Sequence, residues 1–248
     1  MRMSVRHAAR VATISRAGAE ALRVEYCRNP DDLLVPPSDL EGFKLRVGRD
    51  LKTPIILGVA DFTQRRKGAS ILVRAFERVK DKIPSAILQY SGNVPADLRT
   101  RLFAMVSRKV AADVQFLGLG KSEDLPAIYG RAALTVLPSV QESFGLVLVE
   151  SLACGTPVVG SDDAGIPDII EEGVGTLFSP GSSRHNPSNV EGLTTAILEA
   201  LELYRNPDVH VLCRQSAERF GWERLGPLFE QMYYRAVEGH SLSKSSPN

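Results

Sequence analysis

The sequence predicts an α/β fold, in which a doubly wound parallel sheet is followed by C-terminal helices. From about residue 54 onward, short apolar segments alternate with longer amphipathic ones, which is the pattern of parallel strands joined by crossover helices. After residue 188 the segments have helical periodicity. The length of 248 residues, 44% of them hydrophobic, is enough for one large domain or two small ones.

Five short apolar runs are predicted to be the strands, at residues 54–60, 86–92, 114–120, 134–139 and 157–161. The segment 69–81 is predicted to be a helix packed on the sheet, because its apolar residues share one face. These residues are Ile71, Leu72, Ala75, Phe76 and Val79. Right-handed crossovers make the strands parallel, and such sheets bind ligands beyond the carboxyl ends of their strands. The loops that follow the five strands are therefore the predicted site.

The flanks of the sheet differ from it. Helices are predicted over residues 188–205, 208–219 and 222–238. Ser188 and Glu191 have the spacing of a capping box, and Trp222 is predicted to anchor the last helix in the core or against another domain. The polar residues 239–248 are predicted to be a disordered tail. Before the sheet, residues 30–52 are rich in proline and charge, which predicts a linker or short irregular segment.

Composition argues against several classes of protein. Thirty basic and 29 acidic side chains give a net charge of +1, so no electrostatic footprint for nucleic acid is present. Cys27, Cys154 and Cys213 are widely spaced and form no CxxC pair, which favours a reducing, cytoplasmic environment over a disulfide framework or zinc site. No apolar run reaches about 18 residues, so membrane contact is predicted to be peripheral at most.

The segment from Glu142 to Glu150 is the most informative. It follows a predicted strand, crosses Gly145 and opens a helix whose residues 146–154 are apolar or small except at Glu150 and Ser151. Since such a helix is buried, Glu150 needs a partner from another element. Glu142 precedes the helix, where the free backbone N–H groups attract a phosphate. The two glutamates would lie about 12 Å apart along a helix, roughly the reach of a sugar nucleotide from its sugar to its ribose.

A basic segment follows the first predicted strand. Arg65, Arg66, Lys67 and Gly68 stand at a strand-to-helix junction, where cations can neutralise a diphosphate and stabilise it as a leaving group. Alone, such a run is more often a solvated surface. The glutamates likewise have an ordinary interpretation, as a residue at a helix start and the partner of a structural arginine. The basic segment and the glutamates follow neighbouring strands, and together they favour a binding site for the donor, a sugar nucleotide.

Three other motifs are less informative. The segment from Gly118 to Ser122 is not a P-loop, because Gln115 stands where the first glycine is required. No GxGxxG motif follows the first strand, which argues against a dinucleotide oxidoreductase. Asp162 and Asp163 are adjacent in a loop and are predicted to be solvated, so no metal requirement is expected.

Residues 53–205 resemble the donor-binding domain of retaining GT-B glycosyltransferases of group 1, family 4. The resemblance is carried by the segments ILGVADFTQRRKGASILVRAF, QESFGLVLVESLACGTPVVGSDDAGIPDII and EEGVGTLFSPG. It implies the Rossmann-like half of a GT-B fold. It also implies transfer of a hexose from a nucleotide-diphosphate sugar with retention, without a cofactor or metal.

The resemblance also implies roles for individual residues. Glu142 would contact the hydroxyls of the transferred sugar and Glu150 the ribose. The diphosphate would meet Lys67 with Arg66 or Arg65, beside Gly68, and the catalytic residues would be Glu142, Lys67 and Arg66. The sugar and phosphates would meet the backbone of Phe144, Gly145, Leu146 and Val147, and the base would meet the loop of Leu117 and Gly118.

Two positions depart from the pattern of the family. Ala60 and Asp61 stand where many relatives carry a glycine-arginine pair, which shifts the arginine's role to Arg65 or Arg66. Asp168 stands where glutamate is frequent, and this shortening of a carboxylate in a loop is expected to matter little.

The resemblance implies a division of the chain into four parts. Residues 1–40 would be a remnant of the N-terminal domain, with its last strand, a helix after Ser15 and a linker. The donor-binding domain would span residues 41–205, the C-terminal helices 206–238 and the tail 239–248. Most of the acceptor domain would be missing, so the site is expected to need a partner chain or homo-oligomer. The alternative is a non-catalytic nucleotide-sugar-binding or interaction protein.

Overall fold

The centre of the molecule is a parallel sheet of six strands. A computed structural model describes residues 5, 8–45, 50–183 and 185–244. The sheet has the order β5-β4-β3-β6-β7-β8, and every pairing is parallel. Its strands are β3 (Ile55–Val59), β4 (Ile87–Ser91), β5 (Val114–Gly118), β6 (Leu134–Leu137), β7 (Val158–Ser161) and β8 (Gly175–Phe178). A separate parallel pair is formed by β1 (Ala12–Thr13) and β2 (Asp32–Leu33).

Helices connect and cover the strands. The segment between β1 and β2 forms α1 (Arg16–Tyr26). The helices within the sheet region are α2 (Ala69–Lys82), α3 (Ala96–Phe103), α4 (Arg108–Ala111), α5 (Leu125–Arg131) and α6 (Leu146–Ala153). The C-terminal helices are α7 (Val190–Arg205), α8 (Val209–Glu218) and α9 (Trp222–Lys244). Short 3-10 turns lie at Arg65–Lys67, Ser122–Asp124 and Ile166–Asp168.

The strand order reverses between β3 and β6. From β3 the chain proceeds through β4 to the edge strand β5, then returns to β6 on the other side of β3. Such a switch point opens a crevice at the carboxyl ends of the two central strands. The turn after β3 and the loop after β6 therefore stand side by side, although 75 residues separate Lys67 from Glu142 in the sequence.

Apolar residues are buried on both faces of the sheet. On one face, Leu72 and Phe76 of α2 and Ile197 of α7 share a cluster with strand residues. On the other, Leu148 of α6 packs with Cys213 of α8. Fully burying such a leucine or phenylalanine stabilises the fold by about 1.5–3 kcal/mol. Because the central strands are covered twice, their sequences are continuous apolar runs rather than alternating ones.

The N-terminal segment packs on this core. Ser15 caps α1, because its hydroxyl accepts a hydrogen bond from the Gly18 N–H across 3.1 Å. The charged segment predicted to be a linker contains β2, and further along it Ser38 forms a parallel bridge with Gly221. Leu40 is buried in the cluster of α6 and α8. The described part of this segment is therefore irregular but held in place.

The predicted fold class is confirmed, and the five predicted strands and the helix at 69–81 are found within two residues of their expected ends. Some details were wrong. The sixth strand, β8, was missed. Asn189, not Ser188, caps α7, since its side chain accepts from the Gly192 N–H across 2.9 Å. Trp222 begins α9 but is 54% exposed, so its predicted role as a core anchor is wrong, while the alternative role as an anchor against another domain stays a prediction.

The last helix is longer than expected. It continues to Lys244, past the predicted end at residue 238, so the predicted disordered tail overlaps a helix as far as this residue. Residues 245–248 lie outside the described residues. Every helix in the described parts of the chain is too short or too polar to traverse a bilayer.

Candidate functional site

The turn after β3 and the loop after β6 are bound to each other through their backbones. The Val140 N–H donates to the carbonyl oxygen of Arg66 across 2.9 Å. Gly68 lies next to this contact with φ +74°, and a Cβ atom there would stand 2.8 Å from the carbonyl oxygen of Pro138. Glycine is therefore required at position 68 both by its backbone conformation and by the close approach.

This contact brings the predicted cations to the predicted sugar-binding glutamate. The Lys67 Nζ atom lies 2.5 Å from Glu142 Oε2, and Arg66 Nη1 lies 3.9 Å from the same oxygen. The Lys67 and Glu142 side chains are each only 14% exposed. An ion pair this shielded from water is stronger than a surface pair, and removal of either partner leaves the other charge uncompensated.

The pair lines a cavity at the switch point, which we call the donor cavity. It has a volume of about 480 Å³. Its lining includes seven of the predicted site residues, together with positions from the N-terminal segment. Its lining is Ile14, Pro36, Val59, Ala60, Asp61, Gln64, Arg66, Lys67, Leu137, Glu142, Ser143, Phe144, Gly145, Leu146 and Val147.

The start of α6 lines this cavity with Gly145, Leu146 and Val147. Gly145 is the N-cap residue, has φ +110° and provides no side-chain cap. Phe144 is buried and its ring packs edge-to-face on Phe220, with centroids 5.6 Å apart. The Leu148 N–H donates to the Gly145 carbonyl oxygen across 2.9 Å, so the N–H groups of Leu146 and Val147 are those available to an anion in the donor cavity.

Glu150 obtains the external partner that its buried helix requires. The Tyr129 hydroxyl on α5 donates a hydrogen bond to Glu150 Oε2 across 2.7 Å. Burial raises the pKa of Glu150 above its ordinary value. Burial, followed by the Glu150 charge, raises the pKa of Tyr129 well above its ordinary value. The partner of Glu150 is therefore a neutral hydroxyl, and not the structural arginine that the ordinary interpretation of this glutamate suggested.

Glu150 and the two residues predicted to meet the base do not line the donor cavity. Leu117 packs against an apolar cluster that includes Val59 and Tyr129. Gly118 has φ +76°, and no atom lies within 4 Å of the position that a Cβ would occupy. The loop is open at this point, with Leu119 80% exposed. Leu117 and Tyr129 share this cluster, and neither of them lines the cavity that holds the Lys67–Glu142 pair.

The structure separates Arg65 from its neighbours. Its side chain lines a different cavity of about 560 Å³, on the far side of the 3-10 turn, together with Arg74 and Arg101. Arg66 and Lys67 line the donor cavity. The structure therefore places Arg66 and Lys67, but not Arg65, in the lining of the donor cavity.

Asp61, where the sequence resemblance led us to expect an arginine, lies two residues after the end of β3. It lines the donor cavity and accepts hydrogen bonds from the Thr63 N–H and hydroxyl, across 3.3 and 2.8 Å. The Thr63 hydroxyl is the main cause that lowers the pKa of Asp61. The cavity thus holds a second carboxylate besides Glu142.

Several residues of the site were not predicted. Tyr129 was missed because its role depends on the packing of α5 against α6, for which the sequence carries no local signal. Asp163, expected to be solvated, accepts a hydrogen bond from the Gln141 N–H across 2.5 Å. Asp168, expected to matter little, accepts from the Arg16 N–H across 2.7 Å and from the Arg16 side chain, which joins it to the start of α1.

A third cavity adjoins the donor cavity. It has a volume of about 710 Å³, lies between α1 and the loops after β6 and β7, and shares Ile14, Glu142 and Ser143 with the donor cavity. Glu142 therefore stands between two open spaces. In the part of the chain that the structure describes, no cluster of three or more His, Cys, Asp or Glu side chains is arranged to hold a metal ion.

Comparison with known proteins gives consistent matches. The family "Glycosyl transferases group 1" matches residues 44–186. D-inositol 3-phosphate glycosyltransferase from Corynebacterium kroppenstedtii is 33% identical over 94% of this chain and 54% of that protein. The enzyme of the same name from Mycobacterium tuberculosis H37Ra is 30% identical over 93% of this chain and 48% of that protein. The chain thus spans about half the length of these relatives.

Solved structures share the fold. Sucrose-phosphate synthase from Thermosynechococcus elongatus superposes with a TM-score of 0.75 and 28% identity, over 92% of this chain and 58% of that one. Anabaena HepE, in complex with UDP and glucose, superposes with a TM-score of 0.72 and 20% identity, over 94% of this chain and 65% of that one. The sheet and its helices have the Rossmann-like architecture of GT-B glycosyltransferases.

Proposed function

Because this chain belongs to the glycosyl transferases group 1 family, we propose that it binds a nucleotide-diphosphate sugar and is the donor half of a retaining hexosyltransferase. The observation that carries the proposal is the Lys67–Glu142 pair, 2.5 Å apart in a cavity at the switch point of the sheet. A cation and a carboxylate side by side match the two parts of such a donor, its phosphates and its sugar hydroxyls.

The cations act on the leaving group. Glu142 offsets the charge of Lys67 and lies 3.9 Å from Arg66. When the donor binds, the diphosphate accepts hydrogen bonds from these two cations and from the first-turn N–H groups of α6. The same groups stabilise the negative charge that develops as the sugar–phosphate bond breaks.

The glutamates act on the hydroxyl groups. Glu142 accepts hydrogen bonds from hydroxyls of the transferred sugar, and Glu150, beside Tyr129, from the ribose. The loop with Leu117 and Gly118 meets the base. The sugar and the base are the two ends of a sugar nucleotide. This order is supported by the absence of Glu150, Leu117 and Gly118 from the lining of the cavity that holds the Lys67–Glu142 pair.

We propose that transfer proceeds with retention, without a protein nucleophile. The acceptor oxygen forms a bond to the anomeric carbon on the face that the diphosphate leaves, and the acceptor proton passes to the departing phosphate oxygen. The adjoining cavity is the side from which the acceptor approaches, since Glu142 and Ser143 line both cavities. The rest of the acceptor wall comes from a partner chain or a second copy, as positioning of the acceptor requires both walls.

Calorimetry with the full chain tests this function. We expect UDP-sugars or GDP-sugars to bind more tightly than the nucleoside diphosphate alone, and this gain to be lost in Glu142→Ala. Glu172→Ala, which removes an exposed carboxylate outside the cavity, is the matched control. If neither class of sugar nucleotide binds the wild type, the assignment of the site is wrong.

The second candidate is a non-catalytic nucleotide-sugar-binding protein, since the donor cavity and its Lys67–Glu142 pair would serve binding without transfer. Transfer to an acceptor, or hydrolysis of the donor, separates the two candidates. Activity of the purified chain that is lost in Glu142→Ala would exclude the second. Binding without either reaction would favour it.

A further inference from the structure

The loop that carries Glu142 has an unusual backbone at the preceding residue. Gln141 has φ +55°, in the left-handed region that residues with a side chain adopt rarely. Both of its backbone polar groups are held by charged side chains. Its N–H donates to Asp163 Oδ2 across 2.5 Å, and its carbonyl oxygen accepts from Arg66 Nη1 across 3.3 Å.

The loop after β7 holds the next residue as well. The Gly165 N–H donates to the carbonyl oxygen of Glu142 across 2.9 Å. A Cβ at position 165 would lie 2.1 Å from the carbonyl oxygen of Ser143, so the two backbones are in direct contact. Ala164, between the two contacts, is also in the left-handed region, with φ +52°. Two disfavoured conformations persist here because several contacts determine them together.

Asp163 is the side chain that links these features. From the observations above we propose that it is a positioning residue, which stabilises the left-handed turn at Gln141 and so directs the Glu142 carboxylate into the donor cavity. The proposal rests on the proposed function of Glu142 as the sugar contact. Without the Asp163 carboxylate the Gln141 N–H loses its acceptor, and the turn relaxes toward conformations that swing Glu142 away from Lys67.

The adjacent aspartate provides a matched control. Asp162 is exposed, and its side chain makes no hydrogen bond or ion pair with a described residue. It therefore represents the solvated carboxylate that the sequence suggested for both positions. Of the two aspartate side chains, Asp163 is the one that accepts a hydrogen bond from the backbone of the loop that carries Glu142.

The test compares Asp163→Ala, Asp163→Asn and Asp162→Ala with the wild type, all as full chains. Calorimetry gives the affinities for UDP and UDP-glucose, or GDP and GDP-mannose, whichever pair the wild type binds. We expect Asp163→Ala to reduce the ratio of sugar-nucleotide to nucleotide affinity by about tenfold, the worth of one strong hydrogen bond. Asparagine retains an acceptor oxygen, so Asp163→Asn should restore most of the ratio, and Asp162→Ala should leave it unchanged.

Amide hydrogen exchange supplies a readout that needs no ligand. The Gln141 amide should exchange faster in Asp163→Ala and remain protected in Asp163→Asn. An unchanged affinity ratio in Asp163→Ala overturns the positioning role while the proposed function stands. An equal loss of nucleotide and sugar-nucleotide affinity also overturns it, since it indicates general damage. If the wild type shows no gain from the sugar, the proposed role of Glu142 fails and the positioning role fails with it.

Discussion

The hydroxyl of Tyr129 donates a hydrogen bond to the Glu150 carboxylate across 2.7 Å, and this bond joins α5 to α6. Glu150 lies inside a helix that is apolar on most sides, so the hydroxyl replaces water as a donor to its carboxylate. Burial nevertheless outweighs this hydrogen bond, and the pKa of Glu150 is raised from the ordinary value of 4.5.

The raised pKa predicts a dependence of stability on pH. For a carboxyl group whose pKa is higher in the folded than in the unfolded state, the folded protein is favoured while the group is protonated. The contribution of Glu150 is therefore fully present below pH 4.5 and is lost as the pH rises through its folded-state pKa. We expect Glu150→Gln to flatten this part of the profile of unfolding free energy, measured by urea denaturation. Identical profiles for the two proteins would contradict the prediction.

We expect the Tyr129 hydroxyl to make a measurable contribution to the free energy of unfolding. Tyr129→Phe leaves the Glu150 carboxylate buried without its donor, so we expect a loss of about 1–3 kcal/mol in the free energy of unfolding at pH 7. Tyr233→Phe, at a residue 65% exposed on α9, is the control and should change stability little. A loss in the control as large as that in Tyr129→Phe would argue against a specific role for the bond.

Gly68 should tolerate no side chain. Gly68→Ala places a Cβ 2.8 Å from the Pro138 carbonyl oxygen in a left-handed conformation, so we expect destabilisation of about 1–3 kcal/mol. We also expect weaker binding of nucleoside diphosphates, because the turn carries Lys67. Gly42→Ala, where no atom lies within 4 Å of the added Cβ, should be near neutral. Melting temperatures and calorimetry of the two variants make the comparison.

Arg65 and Arg66 should differ in their effect on donor binding. Arg66 lines the donor cavity, whereas Arg65 lines the cavity on the other side of the turn. We expect Arg66→Ala to weaken binding of a nucleoside diphosphate by about tenfold, as expected for loss of one charge-assisted hydrogen bond. Arg65→Ala should weaken it by less than about twofold. Equal losses in both variants would mean that the diphosphate lies across the turn rather than inside the donor cavity.

Replacing Asp61 by arginine should strengthen the site. Asp61 contributes a carboxylate to a cavity proposed to hold a diphosphate, where a guanidinium group would instead donate hydrogen bonds to the phosphates. We expect Asp61→Arg to increase affinity for a nucleoside diphosphate by about fivefold to tenfold, with a gain that declines in high salt. Asp39→Arg makes the same change in net charge at an exposed position outside the cavity. If both variants bind equally well, the effect is due to net charge alone.

The sequence alone determined the features that depend on local pattern. Apolar runs and helical periodicity located the central strands and α2, since burial on both faces of a sheet imposes a continuous apolar run wherever it occurs. The isolated carboxylate of Glu150 in an apolar helix was enough to predict a partner on another element. β8 was missed because only Phe178 of its four residues is buried, which leaves no continuous apolar run.

The tertiary structure decided which distant residues meet. Lys67 and Glu142 are neighbours because the strand order reverses between β3 and β6, and no local pattern records that order. The packing of loops and helices likewise decides three further features. It selects Tyr129 as the partner of Glu150, places Arg65 and Arg66 in different cavities, and brings the Gln141 N–H to Asp163. Side-chain types and spacing limit what a site can do, whereas the distances that make it a site arise only when separate segments are brought together.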